Sequence, residues 1–135
     1  MDFPDIPQGT NVVGVGIDQI EVSRIRESLK LHGDAFLGKV FSEGEQKVCL
    51  ARTDPAPCFA ARFAAKEATS KALGVGIGSE FGWLDMEVHR EKSGQPLACF
   101  SEHGSLALHA RQASSALISL SHLNEIASAV VVLVR

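Results

Sequence analysis

An alanine-rich run that passes into a glycine-rich loop limits the folds open to this chain: residues 59–78 read FAARFAAKEATSKALGVGIG. Because alanine is the strongest helix former, the run predicts a helix over residues 59–73, which Gly74 is well placed to end. At about 100° per residue, Glu67 and Lys71 share one side of this helix with small alanines, so another backbone or a ligand has room to approach them. The alternative interpretation of Glu67 and Lys71 is a surface ion pair between successive turns.

A second pattern, upstream of this helix, alternates valine and isoleucine with glycine. Residues 11–20 predict a β-strand with apolar side chains on one face and Gly14, Gly16 and Asp18 on the other. Glycine weakens a strand, so two glycines on one face indicate close approach by another backbone or by a ligand. Asp18 lies on that same face, where it either caps the following helix or binds a metal ion.

The rest of the chain has the hydrophobic periodicities of short helices and strands. Four further helices are expected, over residues 21–32, 34–40, 42–50 and 102–113. A hairpin is expected over residues 84–100, and two more strands over 116–121 and 126–134. We therefore expect one compact α+β domain over residues 12–135, with an antiparallel sheet packed against the long central helix. A loose leader with two prolines precedes it over residues 1–11.

The composition narrows the class of protein. A net charge of −3, no tyrosine and a single tryptophan give no electrostatic or stacking argument for a nucleic-acid partner. No apolar run approaches the ~20 residues of a membrane span, and the polar, acidic start lacks the apolar segment of a signal peptide. The three cysteines form no CxxC motif and are expected to be reduced thiols, so we expect a cytoplasmic protein.

Two further groups of residues have useful chemistry without a decisive motif. Gly74, Gly76 and Gly78 can present backbone N–H groups to an anion. Their sequence, GVGIG, lacks the ending of a Walker A loop, and it follows a helix rather than a strand. Ser121 and His122 leave two polar side chains at the end of a predicted strand, where a histidine is most often exposed or structurally hydrogen-bonded.

The order and composition of these segments resemble the holo-acyl-carrier-protein synthases, the short class of 4′-phosphopantetheinyl transferases. The resemblance runs from residue 12 to the C-terminus. Its most specific parts are VGID at 15–18, RFAAKEATSKALGVGIG at 62–78 and SLSH at 119–122. It implies transfer of phosphopantetheine from coenzyme A to a serine of an apo-acyl-carrier protein, with release of adenosine 3′,5′-bisphosphate.

The resemblance also implies roles for individual residues. Asp18 and Glu67 would hold Mg²⁺, Glu67 would be the general base on the serine, directly or through a metal-bound water, and Lys71 would protonate the departing nucleotide. Coenzyme A would be bound by Lys66, Gly74, Gly76, Gly78, Ser121 and His122. The acidic carrier protein would be bound by the basic residues of the first helix, Arg24, Arg26 and Lys30.

Members of this family are expected to be homotrimers with active sites between subunits. Lys66 and Arg62 lie away from Glu67 on an ideal helix, which leaves them open to phosphates, an acidic partner or a neighbouring subunit. Two other functions fit the same residues. One is a non-catalytic module that binds coenzyme A or a carrier protein, and the other is a metal-dependent nucleotide hydrolase. The natural carrier protein, whether for fatty-acid, polyketide or peptide synthesis, is left open.

Overall fold

A long helix lies against one face of a three-stranded antiparallel sheet in the computed structural model of this chain, which describes residues 4–135. The elements follow in the order β1 (Val12–Glu21), α1 (Val22–Val40), α2 (Glu43–Leu50), α3 (Ala56–Leu73), a 3-10 turn (Trp83–Asp85), β2 (Met86–Arg90), β3 (Pro96–Phe100), α4 (Glu102–Ala110), β4 (Ser115–His122) and β5 (Ile126–Val134). The main sheet has the strand order β1-β5-β4, and β2 and β3 form a separate hairpin. This architecture confirms the expected α+β class.

The predicted helices and strands are present, with boundaries that shift by a few residues. α3 begins earlier than predicted, at Ala56, because Pro57 lies in the first turn, where the missing N–H has no helical acceptor in any case. α1 joins the two helices expected around Gly33, which has a φ of 48° and kinks it. α4 ends at Ala110, just before Gln112 takes a left-handed φ of 61°.

The glycine face of β1 packs directly on α3. A Cβ atom added at Gly14 would collide with the carbonyl oxygen of Ala72, and one added at Gly16 with that of Ala68. Strand and helix backbones therefore approach more closely than side chains would allow. This close contact explains both the two glycines in the strand and the alanines in the helix.

α3 is enclosed by the rest of the fold on nearly every side. It contacts all three strands of the main sheet as well as α1, α2 and β2. Small alanine side chains let these neighbours come close, and most residues of the helix are buried. Neither α3 nor any other helix described over residues 4–135 combines the length and apolar composition needed to cross a membrane.

The opposite face of the main sheet is apolar and has no covering layer among residues 4–135. β1, β5 and β4 align Ile17 with Val130, and Val15 with Val132 and Leu117. Ile17 is 59% exposed and Leu117 60% exposed, whereas the residues facing α3 are buried. Apolar residues thus line both faces of the sheet, but only one face is covered within the protomer.

The cysteine expectation is wrong for two of the three residues. Cys49 at the end of α2 and Cys58 at the start of α3 form a disulfide, with a Cα–Cα distance of 5.4 Å. The two helix ends are adjacent because the connection between them is short. Cys99 on β3 is a free, exposed thiol.

The segment before β1 has neither helix nor strand from residue 4 to residue 11. Arg135 fastens its end to the sheet, donating from its backbone N–H to Asn11 O at 2.9 Å and from Nε to Thr10 O at 3.0 Å. Residues 1–3 of the expected leader lie outside the described residues.

Candidate active site

Asp18 lies on the face of β1 that packs against α3, where it meets Lys71. The Nζ atom of Lys71 donates to Asp18 Oδ1 at 2.8 Å and to the carbonyl oxygen of Ile17 at 3.1 Å. The N-cap of α1 is Glu21, and no side chain caps that helix end. Capping is therefore not the role of Asp18, which instead forms an ion pair with the central helix.

Glu67 lies one turn before Lys71 and is partly buried. Burial raises the pKa of Glu67, the negative charge of Asp18 raises it further, and Lys71 opposes the shift. The structure therefore brings these three side chains together in one cluster. The surface-pair alternative for Glu67 and Lys71 does not hold, because among residues 4–135 the ion pair of Lys71 is with Asp18.

The cluster has the donor set that Mg²⁺ uses. Lys71 forms an ion pair with Asp18, and Glu67 lies near enough to be affected by both charges, so the three side chains carry an excess of negative charge that a divalent cation would relieve. Mg²⁺ is commonly held by one or two carboxylates, with substrate phosphates and waters completing its coordination. No group of three or more histidine, cysteine, aspartate or glutamate side chains forms a metal cage within residues 4–135. Asp18 and Glu67 therefore fit an open magnesium site rather than a closed one.

The glycine loop begins one turn after Lys71. Gly74 ends α3 with a φ of 76°, and Gly76 has a φ of 68°, which a residue with a side chain rarely adopts. The backbone N–H of Gly78 donates to Phe81 O at 2.9 Å, so Gly78 closes the loop. Gly74 and Gly76 are thus required by the backbone of this turn, which follows directly on the helix that carries Glu67 and Lys71.

One cation beside this loop was not found from the sequence. Arg111 follows α4, and its Nη1 lies 3.2 Å from the position a Cβ of Gly74 would take. A basic residue at the end of a helix was the available signal, but periodicity does not show which loop that helix end faces.

Ser121 and His122 do not lie beside the glycine loop of the same protomer. His122 pairs with Ala127 at the level of Ile20, whereas the loop follows the part of α3 that packs on Gly14. At about 3.3 Å per strand residue, this is a separation of roughly 20 Å along the sheet. β4 is also the edge strand farthest from β1.

Lys66 is placed where it cannot bind coenzyme A in this structure. Its side chain is fully buried, and Nζ donates to Glu45 Oε1 at 2.7 Å and to Val40 O at 2.6 Å. Glu45 also accepts from the backbone N–H of Val88, at 3.0 Å. The proposed contact of Lys66 with phosphates is corrected to a structural role. The helix wheel gave its direction, but the neighbours in that direction are core rather than solvent.

The basic residues of α1 are exposed, but one of them is already paired. Arg26 makes a bidentate ion pair with Asp54, at 2.7 and 3.1 Å, in the connection between α2 and α3. Arg24 lies at the rim of a groove of about 260 Å³, which Leu31, Phe36 and Phe63 also line. Positive charge thus lies next to an apolar surface.

Comparison with known proteins gives consistent matches over most of the chain. The sequence model of the 4′-phosphopantetheinyl transferase superfamily matches residues 14–131. A holo-[acyl-carrier-protein] synthase of Chlamydia pneumoniae is 45% identical over 119 residues, which is 87% of this chain and 93% of the relative. The holo-[acyl-carrier-protein] synthase of Neisseria meningitidis superposes with a TM-score of 0.85 at 28% identity, covering 92% of this chain and 99% of its own. The Bacillus anthracis synthase in complex with coenzyme A (3′,5′-ADP) superposes with a TM-score of 0.77 at 38% identity, covering 91% and 96%.

Proposed function

Because this chain belongs to the 4′-phosphopantetheinyl transferase superfamily, as an enzyme of the holo-[acyl-carrier-protein] synthase family, we propose that it modifies an apo-acyl-carrier protein. It transfers phosphopantetheine from coenzyme A to a serine of the carrier and releases adenosine 3′,5′-bisphosphate. The observation that carries this proposal is the ion pair between Asp18 and Lys71 beside Glu67. This cluster supplies a base, a cation and a site for a divalent metal ion at one place.

The reaction breaks one phosphorus–oxygen bond and forms another. The serine hydroxyl attacks the phosphorus that bears the pantetheine arm, and the bond from that phosphorus to the bridging pyrophosphate oxygen breaks. Glu67 accepts the serine proton, directly or through a metal-bound water. Lys71 neutralises and protonates the departing nucleotide phosphate.

Asp18 and Glu67 would hold Mg²⁺, which would supply positive charge for the pyrophosphate. Asp18 also holds Lys71, since the 2.8 Å ion pair fixes the ammonium at the end of β1. The N–H groups of Gly74 and Gly78 are already bonded to carbonyl oxygens of Lys71 and Phe81, so the expected contact of these two glycines with the nucleotide is corrected to a structural role. The loop binds the nucleotide with the N–H groups of Gly76 and Ile77, and Arg111 beside Gly74 adds positive charge for a phosphate. The enzyme needs no nucleophile of its own.

We further propose a homotrimer in which coenzyme A binds between protomers. Ser121 and His122 lie roughly 20 Å along the sheet from the glycine loop, by the strand rise of about 3.3 Å per residue. These two parts of the coenzyme A site are close to each other only if they come from different subunits. The uncovered apolar face of the main sheet, with Ile17 and Leu117 more than half exposed, supports such an assembly.

The carrier protein is proposed to dock on α1. Acyl-carrier proteins are acidic, so Arg24 and Lys30 attract them electrostatically, and the neighbouring apolar groove adds contact area. Arg26 takes part only if the carrier competes with Asp54 for its guanidinium. Docking is therefore expected to weaken as salt concentration rises.

Mass spectrometry of an apo-acyl-carrier protein incubated with this enzyme, coenzyme A and Mg²⁺ tests the function. We expect the carrier to gain one phosphopantetheine group with release of an equal amount of adenosine 3′,5′-bisphosphate. Glu67→Gln should slow the transfer at least about 100-fold, while the exposed control Glu43→Gln should retain the parent rate.

Other outcomes would favour the alternatives. Coenzyme A binding that is indifferent to Mg²⁺, with an unmodified carrier, would indicate a binding module. Nucleotide release without any carrier protein would indicate a hydrolase. A Glu67→Gln variant that is folded and transfers at the parent rate would show that Glu67 is not the base.

A further inference from the structure

A cross-link lies at the junction of α2 and α3, away from the carboxylate cluster. Cys49 and Cys58 form this disulfide across a sequence separation of nine residues. Cys49 is fully buried, whereas Cys58 is 6% exposed. Disulfides in reducing compartments are usually transient and redox-sensing rather than structural. The residues around this disulfide help to distinguish a redox-sensing role from a structural one.

A buried arginine without a carboxylate partner lies against this disulfide. Arg62 is only 2% exposed, and its Nη1 donates to Cys58 Sγ at 3.1 Å and to Cys58 O at 3.5 Å. Its Nε is buried and has no hydrogen-bond acceptor within residues 4–135. Lys66, one turn further on, has a full ion pair with Glu45. The pocket around Arg62 therefore lacks an anion. An unpaired buried cation costs free energy, so an anion placed beside Arg62 would be stabilised.

We propose that Cys49 and Cys58 are a redox-active pair, in which Arg62 holds the reduced Cys58 sulfur as a thiolate. The thiolate is the missing anion of the pocket, and it is also the reactive form of a cysteine. Cys58 reacts first because Arg62 contacts its sulfur, and because the residue is not completely buried as Cys49 is. Cys49 then forms the disulfide.

The charged groups that act on Arg62 are mainly basic. Burial lowers the pKa of Arg62, Glu45 opposes this, and the positive charges of Arg90 and Arg52 lower it further. Glu45, the acidic group nearby, is already engaged by Lys66. A negative sulfur at Cys58 would therefore be favoured by the Arg62 guanidinium, whose Nη1 lies 3.1 Å from Cys58 Sγ, and it would relieve the repulsion of Arg62 by Arg90 and Arg52.

The oxidant that balances the reaction is a small disulfide such as oxidised glutathione. The Cys58 thiolate attacks one of its sulfurs, the glutathione S–S bond breaks, and one glutathione leaves as a thiolate. Cys49 then loses its proton and attacks Cys58 Sγ, which releases the second glutathione. One thiolate and one thiol of the protein are oxidised, and one small disulfide is reduced to two glutathione thiolates. One of these takes up the Cys49 proton, and the other takes a proton from water.

The thiol titration of Cys58 tests the proposal. Cys99 is replaced by serine throughout, because it is exposed and would react with the same reagents. In the Cys49→Ser variant, the rate of alkylation by iodoacetamide is measured against pH. We expect its midpoint at least about one pH unit below the ordinary cysteine value of ~8.5. Arg62→Met should return the midpoint to that value or above it, while Arg24→Met on exposed α1 should not change it.

Two measurements keep the test decisive if Arg62→Met does not fold. The Cys58 midpoint in Cys49→Ser is compared with the Cys49 midpoint in Cys58→Ser, and Cys58 should titrate at the lower pH. Incubation of the reduced Cys99→Ser enzyme with oxidised glutathione should give the internal disulfide by mass spectrometry, reversed by dithiothreitol. Equal midpoints for the two cysteines, or a reduced enzyme that forms no disulfide, would overturn the proposal.

Discussion

Lys71 is held by two acceptors on β1, and this fixes the ammonium beside both carboxylates. Its Nζ bonds to the side chain of Asp18 and to the backbone of Ile17. A backbone acceptor cannot be removed by substitution, so part of this positioning survives any change at Asp18. The effect of the positive charge at residue 71 can be separated from that of its position by comparing substitutions that keep the charge with substitutions that remove it.

Lys71→Met is expected to lower the rate of carrier modification by about 10²–10⁴-fold, because it removes both the charge and the proton donor. Lys71→Arg, which keeps the charge, should lose less. Single-turnover mass spectrometry of the carrier measures both rates. Lys92→Met, in the exposed turn of the hairpin, is the matched control and should retain the parent rate. A parent-like Lys71→Met would remove Lys71 from the mechanism.

Asp85 links the 3-10 turn to the start of α4 and gives a prediction for pH. Burial alone would raise the pKa of Asp85, but bonds from Gly82 N–H, His103 and Ser101 outweigh it, and the pKa is lowered. The ionised carboxylate therefore stabilises the fold above the ordinary pKa of aspartate, and this contribution is lost as the pH falls through the lowered value.

Asp85→Asn should therefore lower the free energy of unfolding by about 1–3 kcal/mol at pH 7. The difference from the parent should shrink near pH 3. Urea unfolding at the two pH values measures it, with the exposed Asp34→Asn as a control that should change stability little at either pH. A difference that grows on acidification would contradict the assigned sign.

Lys66 and Lys71 show what a sequence can predict about single residues. The helical period correctly placed Lys66 away from Glu67 and Lys71 on the same side as Glu67. It could not tell that the side of Lys66 faces α2 and β2, because that depends on contacts far along the chain. The glutamate that pairs with Lys66 lies 21 residues earlier, at Glu45, and no local pattern connects the two.

At the scale of elements, the contact between β1 and α3 positions the site. Asp18 follows Gly14 and Gly16 in the strand. Glu67 and Lys71 each come directly before one of the two alanines whose backbone these glycines contact. The rise along the strand and along the helix then brings the three side chains together. The sequence predicted this contact because glycine in a strand and alanine in a helix both indicate close approach.

Gly16→Ala is expected to destabilise the protein by at least about 2 kcal/mol, since the new methyl group meets the backbone of Ala68. It should also slow transfer by displacing β1 from α3. Gly38→Ala is the matched control, because a Cβ there meets nothing within 4 Å. In the helix α1 it should stabilise by about 0.5–1 kcal/mol. Urea unfolding compares the two variants, and equal stabilities would contradict the close contact.

Prediction from the sequence was weaker at element ends and cross-links. The helix was predicted to begin at residue 59, after Pro57, although a helix tolerates proline in its first turn. The disulfide between α2 and α3 was missed because composition carries no distance between helix ends. The hydrophobic periodicity of the sequence indicates whether a segment is a helix or a strand, whereas its ends depend on tertiary contacts.

At the scale of the whole molecule, the main sheet is asymmetric. One face is buried by α3, and the other exposes an apolar ladder across β1, β5 and β4. The sequence predicted a sheet packed against the central helix, but not that the other face of the sheet is apolar and lacks a cover within the protomer. That distinction required the position of α3.

Ile17→Lys is expected to dissociate the proposed trimer, because it places a charge within the apolar face. Light scattering after size-exclusion chromatography should show a smaller particle, and transfer activity should fall with it. Val48→Lys on α2, also an exposed apolar position, is the control and should leave the assembly unchanged. Assembly of Ile17→Lys that matches the parent would place the subunit interface elsewhere.

The contact of β1 with α3 has a consequence for how such a protein changes over evolutionary time. Where glycine touches a helix backbone, the spacing is set by main-chain atoms, which substitution leaves in place. Mutations in the surrounding core then alter how firmly the protein is folded, but the distance from the acid on the strand to the lysine on the helix is insulated from them. A lineage can therefore exchange most of its other residues while its reaction centre keeps the same dimensions.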